Sequence, residues 1–351
     1  STLMRSSAAS DVYKRQQRKD FQTEVNGQHT DLFTLSNKQG MEVCITNYGA
    51  RVVSILVPDR NGKREDVVCG FSTITEYMEQ RQNFGSTVGR YIGRILNARF
   101  TLDGVEYKLV PNNGKSGHIS HGGNPGFADR IWKVEQADTH RVRLSYLSPD
   151  GENGFPGNLK VTLVYSLGED DNALDLTYEA TTDAPTVLNL SHHSFFNISG
   201  NFTKSVEDQQ LWVDADRFTP YDDKKCVTGE YLPVAGTPLD FRMPHTIGEC
   251  IDADHPQLKV VNGYDHTWEL NTKGDDTRPA AWVYDPASGR KMEIFTTEPG
   301  MQIYTGNGLK GKMTGKGGIA YPFRSAVCFE TMHFQDLSLI HISEPTRRVV
   351  I

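Results

Sequence analysis

Short runs in which apolar and polar residues alternate, each closed by a turn signal, dominate the chain from Met41 onward. A side-chain period of two marks a strand with one face buried, whereas a helix repeats every 3.6 residues. Residues 41–46 and 51–57 are rich in β-branched side chains, and Pro58-Asp59-Arg60-Asn61-Gly62 then supplies a turn. Residues 99–102 and 105–109 flank Asp103-Gly104, a favoured two-residue hairpin turn. Further strands are predicted at 131–135, 141–147, 159–167, 173–181, 186–190, 209–214, 280–285, 291–297, 301–305 and 325–332. One short helix is predicted near 73–80, where Thr73 can cap and Glu76 can answer it three residues later. Strands do not alternate with helices, and the Gly-rich stretch 306–318 lacks the Gly-Lys-Ser/Thr ending of a phosphate loop. The pattern predicts an all-β fold, a large antiparallel β-sandwich. The loops near 111–130, 198–208 and 216–265 are long for a sandwich, and long ordered loops often carry function.

The two ends stand apart from this pattern. Residues 6–16, Ser-Ser-Ala-Ala-Ser-Asp-Val-Tyr-Lys-Arg-Gln, resemble a transposase-type sequencing adapter read in one frame. Residues 337–347, Leu-Ser-Leu-Ile-His-Ile-Ser-Glu-Pro-Thr-Arg, resemble the reverse complement of the matching adapter. Segments of this kind are excluded from fold reasoning. The expectation is one domain over 17–336, cut short at its C-terminus, between adapter-derived, non-native segments at 1–16 and 337–351. No repeat, low-complexity tract or linker divides that domain.

Composition excludes several classes. Hydrophobic residues make up 37% and charged residues 23% of the 351, which fits a globular protein rather than a disordered one. The formal net charge of −7 argues against a nucleic-acid partner, which calls for a basic patch. The chain contains no run of 18 apolar residues, so no membrane span is expected. The five cysteines are scattered, with no Cys-x-x-Cys pair. Cys44, Cys69 and Cys328 lie in apolar runs and read as buried thiols, which fits a reducing compartment and a cytoplasmic location, with a periplasmic or secreted one as the alternative.

Four polar residues sit in short Gly- or aromatic-rich runs. They are His121 in His118-Ile119-Ser120-His121-Gly122-Gly123, His193 in His192-His193-Ser194-Phe195-Phe196-Asn197, Asp265 in Gly263-Tyr264-Asp265-His266, and Glu330 in Cys328-Phe329-Glu330-Thr331. Two imidazoles and a carboxylate suit general acid–base chemistry without a metal. No His-x-His or His-Glu-x-x-His pattern supports a metal site built on His118, His121 and His266. Aromatic neighbours suit a sugar, whose C–H faces meet rings and whose hydroxyls meet polar groups.

Taken together and in order, over about Phe21 to Asp336, these motifs resemble the aldose 1-epimerase (galactose mutarotase) family. The resemblance implies a β-supersandwich that interconverts the α and β anomers of free hexoses such as galactose and glucose, with no cofactor. It implies Glu330 as the base, His193 as the acid and His121 as the second catalytic histidine. It implies sugar binding by Arg94, in Gly93-Arg94-Ile95, by Asp265, and by Gln302, in Pro299-Gly300-Met301-Gln302-Ile303-Tyr304-Thr305-Gly306-Asn307. Two positions depart from the pattern: His192 stands where the family has Asn, and Gly93 where its Asn-Arg-Ile motif begins. Losing the Asn donor and acceptor beside Arg94 bears on affinity or substrate choice. Asn97 is too far along the chain to be assumed a substitute. The tryptophans read as core. The partner implied is a small-molecule aldose, and the oligomeric state is open. Two alternatives share the fold, a hexose-6-phosphate 1-epimerase and a non-catalytic sugar-binding or sensing protein.

Overall fold

Strand Glu42–Thr46 shows why the alternation in sequence is incomplete, for all its residues are buried. Val43 and Ile45 face one hydrophobic core, made with Leu144, Val161, Leu163 and Tyr178. Cys44 faces another, with Phe71, Tyr77, Phe84, Phe195, Tyr321 and Cys328. Val327–Met332 repeats the arrangement: Val327 and Phe329 enter a core with Trp268, Met301 and Ile303, while Cys328 joins the cluster that holds Cys44. Strands buried on both faces read as continuous apolar runs.

The computed structural model describes residues 16–336 and the backbone of strand Thr346–Val350. The adapter-like stretches otherwise lie outside the described residues. Every named strand pair is antiparallel. In the first half, a four-stranded sheet (Leu32–Ser36, Glu42–Thr46, Arg51–Pro58, Arg64–Asp66) packs on a five-stranded one (Lys133–Ala137, Arg141–Ser148, Leu159–Leu167, Leu174–Thr182, Thr346–Val350). In the second half, a six-stranded sheet runs in the order Phe195–Phe196, Val327–Met332, Gly300–Tyr304, Asp265–Leu270, Ala215–Thr219, Leu232–Pro233. It packs on a four-stranded sheet containing Gln210–Val213 and Ala281–Tyr284. The cluster around Phe84, Phe195 and Tyr321 joins the halves, with edge-on rings 4.9–5.5 Å apart. Full burial of each such side chain is worth about 1.5–3 kcal/mol. The result is the all-β sandwich expected, doubled into two packed pairs of sheets.

The hairpin Arg99–Leu102/Val105–Lys108 forms as predicted, with Asp103 and Gly104 both at positive φ. The helix Ile74–Gln80 starts at a capping box: Thr73 Oγ1 accepts from the Glu76 N–H, and the Glu76 carboxylate accepts from the Thr73 N–H at 2.9 Å. Three expectations are corrected. Residues 186–190 form no strand, and Asn189 makes only an isolated parallel bridge to Tyr91. The segment 216–265, read as loop, contributes most of strand Ala215–Thr219 and a second short helix, Pro256–Val261, begun by proline and capped by the His255 ring. Residues 295–297 fall outside their strand, which stops at Ile294.

Candidate active site

Period two places Glu330, Gln302, Thr267 and Asp265 of the six-stranded sheet on one face. Cross-strand partners share a face. Glu330 lies opposite Gln302, and Gln302 opposite Thr267. The next row runs Phe195, Cys328, Tyr304, Asp265. Glu330, Gln302, Asp265, Tyr304 and Phe195 therefore project together into a cavity of about 250 Å³. That volume lies just under the ~300 Å³ lower bound for small-molecule pockets.

The opposite wall comes from segments that precede Ser194 in the chain. His193 ends strand Ser191–His193, paired with Ser86–Val88. Arg94 and Ser120 are partners in the ribbon Arg94–Ile95/Ile119–Ser120, and His121 follows directly. His121 itself has φ +53°, followed by Gly122 at +79° and Gly123 at +102°. A Cβ at Gly122 would lie 1.9 Å from the Gly89 carbonyl oxygen, so only glycine allows this approach. Arg51, buried between the Tyr48 and Tyr77 rings, donates to the Gln82 and Phe84 carbonyls at 2.7 and 3.0 Å, which fixes the lining residues Gln82 and Asn83.

All six predicted site residues (Glu330, His193, His121, Arg94, Asp265 and Gln302) line this cavity. His193 Nε2 lies 3.5 Å from Glu330 Oε1, and the two residues are only 6% and 3% exposed. The His193 ring stacks on Phe195 at 5.0 Å and meets His121 edge-on at 5.5 Å. Burial, reinforced by Asp265, pushes Glu330 well above the usual carboxylate range. Burial, reinforced by His121, pushes His193 well below the usual 6.5. A carboxylate so placed is a stronger base, and an imidazolium so placed a stronger acid. Burial and the Arg94 charge push His121 down to about 4, so it is neutral near pH 7. Its Nδ1 accepts from the Gly93 N–H at 3.4 Å, which leaves the proton on Nε2. Asp265 accepts from Gln302 Nε2 at 2.7 Å, and Arg94 donates to the Lys225 carbonyl at 2.9 Å.

The other histidines do not gather at the site. His192 Nε2 bonds Ser194 Oγ at 2.7 Å, and its ring meets Tyr165 edge-on, so its work is in packing. His266 is buried among Phe218, Tyr221 and Trp268. His118 bonds the Asn97 N–H and Cys226. Asn97 is exposed and does not line the cavity. Among the described residues, one metal-capable trio has donor atoms within 4.8 Å: His193, Cys328 and Glu330. Burial pushes the Cys328 thiol well up, so it is protonated and a poor ligand. None of the tryptophans lines the cavity: Trp132 and Trp268 are fully buried, and Trp212 stacks on Trp282. Sequence reasoning missed Tyr221 and Gln335, which also line it.

The aldose 1-epimerase family model matches residues 31–339. The chain belongs to that family. It is 40% identical over 305 residues to galactose mutarotase of Bos taurus, covering 87% of this chain and 85% of that protein. It is 36% identical over 286 residues to aldose 1-epimerase of Escherichia coli K12, covering 82% and 81%. Among solved structures, the aldose epimerase homologue of C. elegans superposes with a TM-score of 0.82 at 29% identity, covering 92% of this chain and 98% of that one. The galactose 1-epimerase of Lactobacillus acidophilus superposes with a TM-score of 0.81 at 28% identity, covering 93% and 95%. Among the described residues, no helix is long and apolar enough to cross a membrane.

Proposed function

We infer that this aldose 1-epimerase family member is a mutarotase of free aldohexoses such as galactose and glucose. The observation that carries the reading is the buried His193–Glu330 pair at 3.5 Å in a cavity lined mostly by hydrogen-bonding groups, with the Phe195 ring beside them. Glu330 takes the proton of the C1 hydroxyl while His193 gives one to the ring oxygen, and the C1–O5 bond breaks. Rotation about C1–C2 presents the other face of the aldehyde. On closing, His193 takes the C5 hydroxyl proton and Glu330 returns one to the carbonyl oxygen. Protons are conserved over the cycle: the pair holds one throughout, on His193 before opening and on Glu330 in the open-chain state. The buried, neutral Glu330-acid/His193-base form is thus the state that closes the ring. His121, neutral, donates from Nε2 to a sugar oxygen. Arg94, Asp265 and Gln302 hold hydroxyls on the far side.

A hexose phosphate fits less well. Phosphate recognition calls for clustered cationic donors, and among the described residues Arg94 is the one lysine or arginine lining the cavity, its Nη1 already bonded to a carbonyl. The test is polarimetric relaxation of freshly dissolved α-D-galactose and α-D-glucose. The reading predicts acceleration in proportion to enzyme; a folded chain that leaves both rates at the uncatalysed value refutes it.

A further inference from the structure

Gly93 leaves a gap beside Arg94, and Gln335 fills it. A Cβ built on Gly93 would lie 2.5 Å from Gln335 Cγ, 2.6 Å from Cδ and 2.9 Å from Oε1. No side chain at 93 is compatible with this placement of Gln335. At φ +77° asparagine is among the least strained replacements for glycine, and the glutamine side chain adds a second obstacle to any side chain at 93.

The segment carrying Gln335 is held at several points. The Asn189 side chain donates to the His333 carbonyl and accepts from its N–H, both at 3.0 Å. The Tyr91 hydroxyl donates to the Phe334 carbonyl at 3.2 Å, and the Leu96 N–H reaches the Asp336 carboxylate at 3.4 Å. Gln335 is therefore delivered to the cavity wall, where it is 5% exposed.

Its amide orientation follows from a chain of hydrogen bonds. The Asp265 carboxylate accepts a hydrogen bond from Gln302 Nε2, so Gln302 Oε1 must face donors; it accepts from Thr267 Oγ1 at 2.5 Å and Gln335 Nε2 at 3.2 Å. Gln335 Oε1 then faces the other way and accepts from the Arg94 N–H at 3.3 Å. A carbonyl oxygen has two lone pairs, so one is left for a ligand hydroxyl. The Tyr221 hydroxyl accepts from both amides, at 3.3 and 3.4 Å, which leaves its own hydrogen for a sugar oxygen.

We propose that Gln335, paired with Tyr221 and admitted by Gly93, is a substrate-binding residue that accepts a ring hydroxyl of the aldose and tunes which hexose is held. The inference rests on the mutarotase reading. Gln335 contacts Arg94 and Gln302, and no bond ties it to Glu330 or His193, so its contribution is to binding and not to proton transfer.

The experiment is steady-state polarimetry on galactose and glucose with the parent, Gln335→Ala, Gly93→Asn and the double variant, each checked by thermal melting. Loss of uniform binding raises KM at constant kcat. Gln335→Ala is expected to raise KM about tenfold, unequally for the two sugars, with kcat within about twofold. Gly93→Asn is expected to impair the parent through its clash with Gln335, yet to lower the KM of Gln335→Ala, because the asparagine then enters the vacated space. Such opposite signs report direct contact. A Gln335→Ala variant whose KM for both sugars stays within about twofold overturns the proposal, as does a fall in kcat alone or a Gly93→Asn effect independent of residue 335. A folded parent that fails to accelerate mutarotation sinks the functional reading instead.

Discussion

At the scale of single residues, the proposed mechanism requires the His193–Glu330 pair to carry one proton. A second proton must overcome the lowered affinity of His193, so it arrives only below the ordinary histidine value of 6.5. The last proton leaves Glu330 only above the ordinary carboxylate value of 4.5. The one-proton form occupies the interval between these displaced limits, and the two macroscopic steps belong to the pair. The expected profile of kcat/KM is a plateau bounded by an acid limb below 6.5 and an alkaline limb above 4.5. Polarimetry across pH, corrected for the uncatalysed rate, checks it; a decline setting in as pH rises through 4.5 contradicts it. The six predicted site residues were legible because each sits in a short motif with a recognisable neighbour. Gln335 and Tyr221 were not: their place depends on where segments far apart in sequence meet, as the close approach of residues 93 and 335 shows.

At the scale of elements, the signals that survived are those set by local chemistry. Asp103-Gly104 closes its hairpin, and the Thr73–Glu76 capping box starts its helix. Thr73→Ala leaves the Glu76 N–H without its cap and should cost about 0.5–2 kcal/mol. Denaturant titration at constant m-value measures it; an unchanged midpoint would mean that packing of Ile74 and Tyr77 alone holds the helix. What was not legible was set by tertiary packing. Residues 186–190 carry strand-like Val187 and Leu188, yet Asn189 is committed to the backbone of His333 and no ladder forms. Strand Asp265–Leu270 begins where sequence reading ended a loop, because its partners lie far away in sequence: Asp265 pairs with Tyr304, and Thr267 lies between Gln302 and Thr219. Strands buried on both faces obscured the alternation that the sandwich reading relied on.

At the scale of the molecule, two pairs of sheets meet at the cluster around Phe84, Phe195 and Tyr321, and the cavity opens beside it. One half supplies His121, His193 and Arg94, and the other supplies Asp265, Gln302 and Glu330. The long-range pairing that brings them together also explains why the fold class, but not the doubling of the sandwich, could be read from local periodicity. The most direct test of the account compares the parent with Glu330→Gln, which keeps the side chain's size and removes its basicity. Both are confirmed folded by circular dichroism, and mutarotation of α-D-galactose is followed by polarimetry while galactose binding is followed by calorimetry. Binding is expected to survive while turnover falls by about 10²–10⁴-fold. A Glu330→Gln variant that binds galactose and still turns it over at the parent's rate would contradict it.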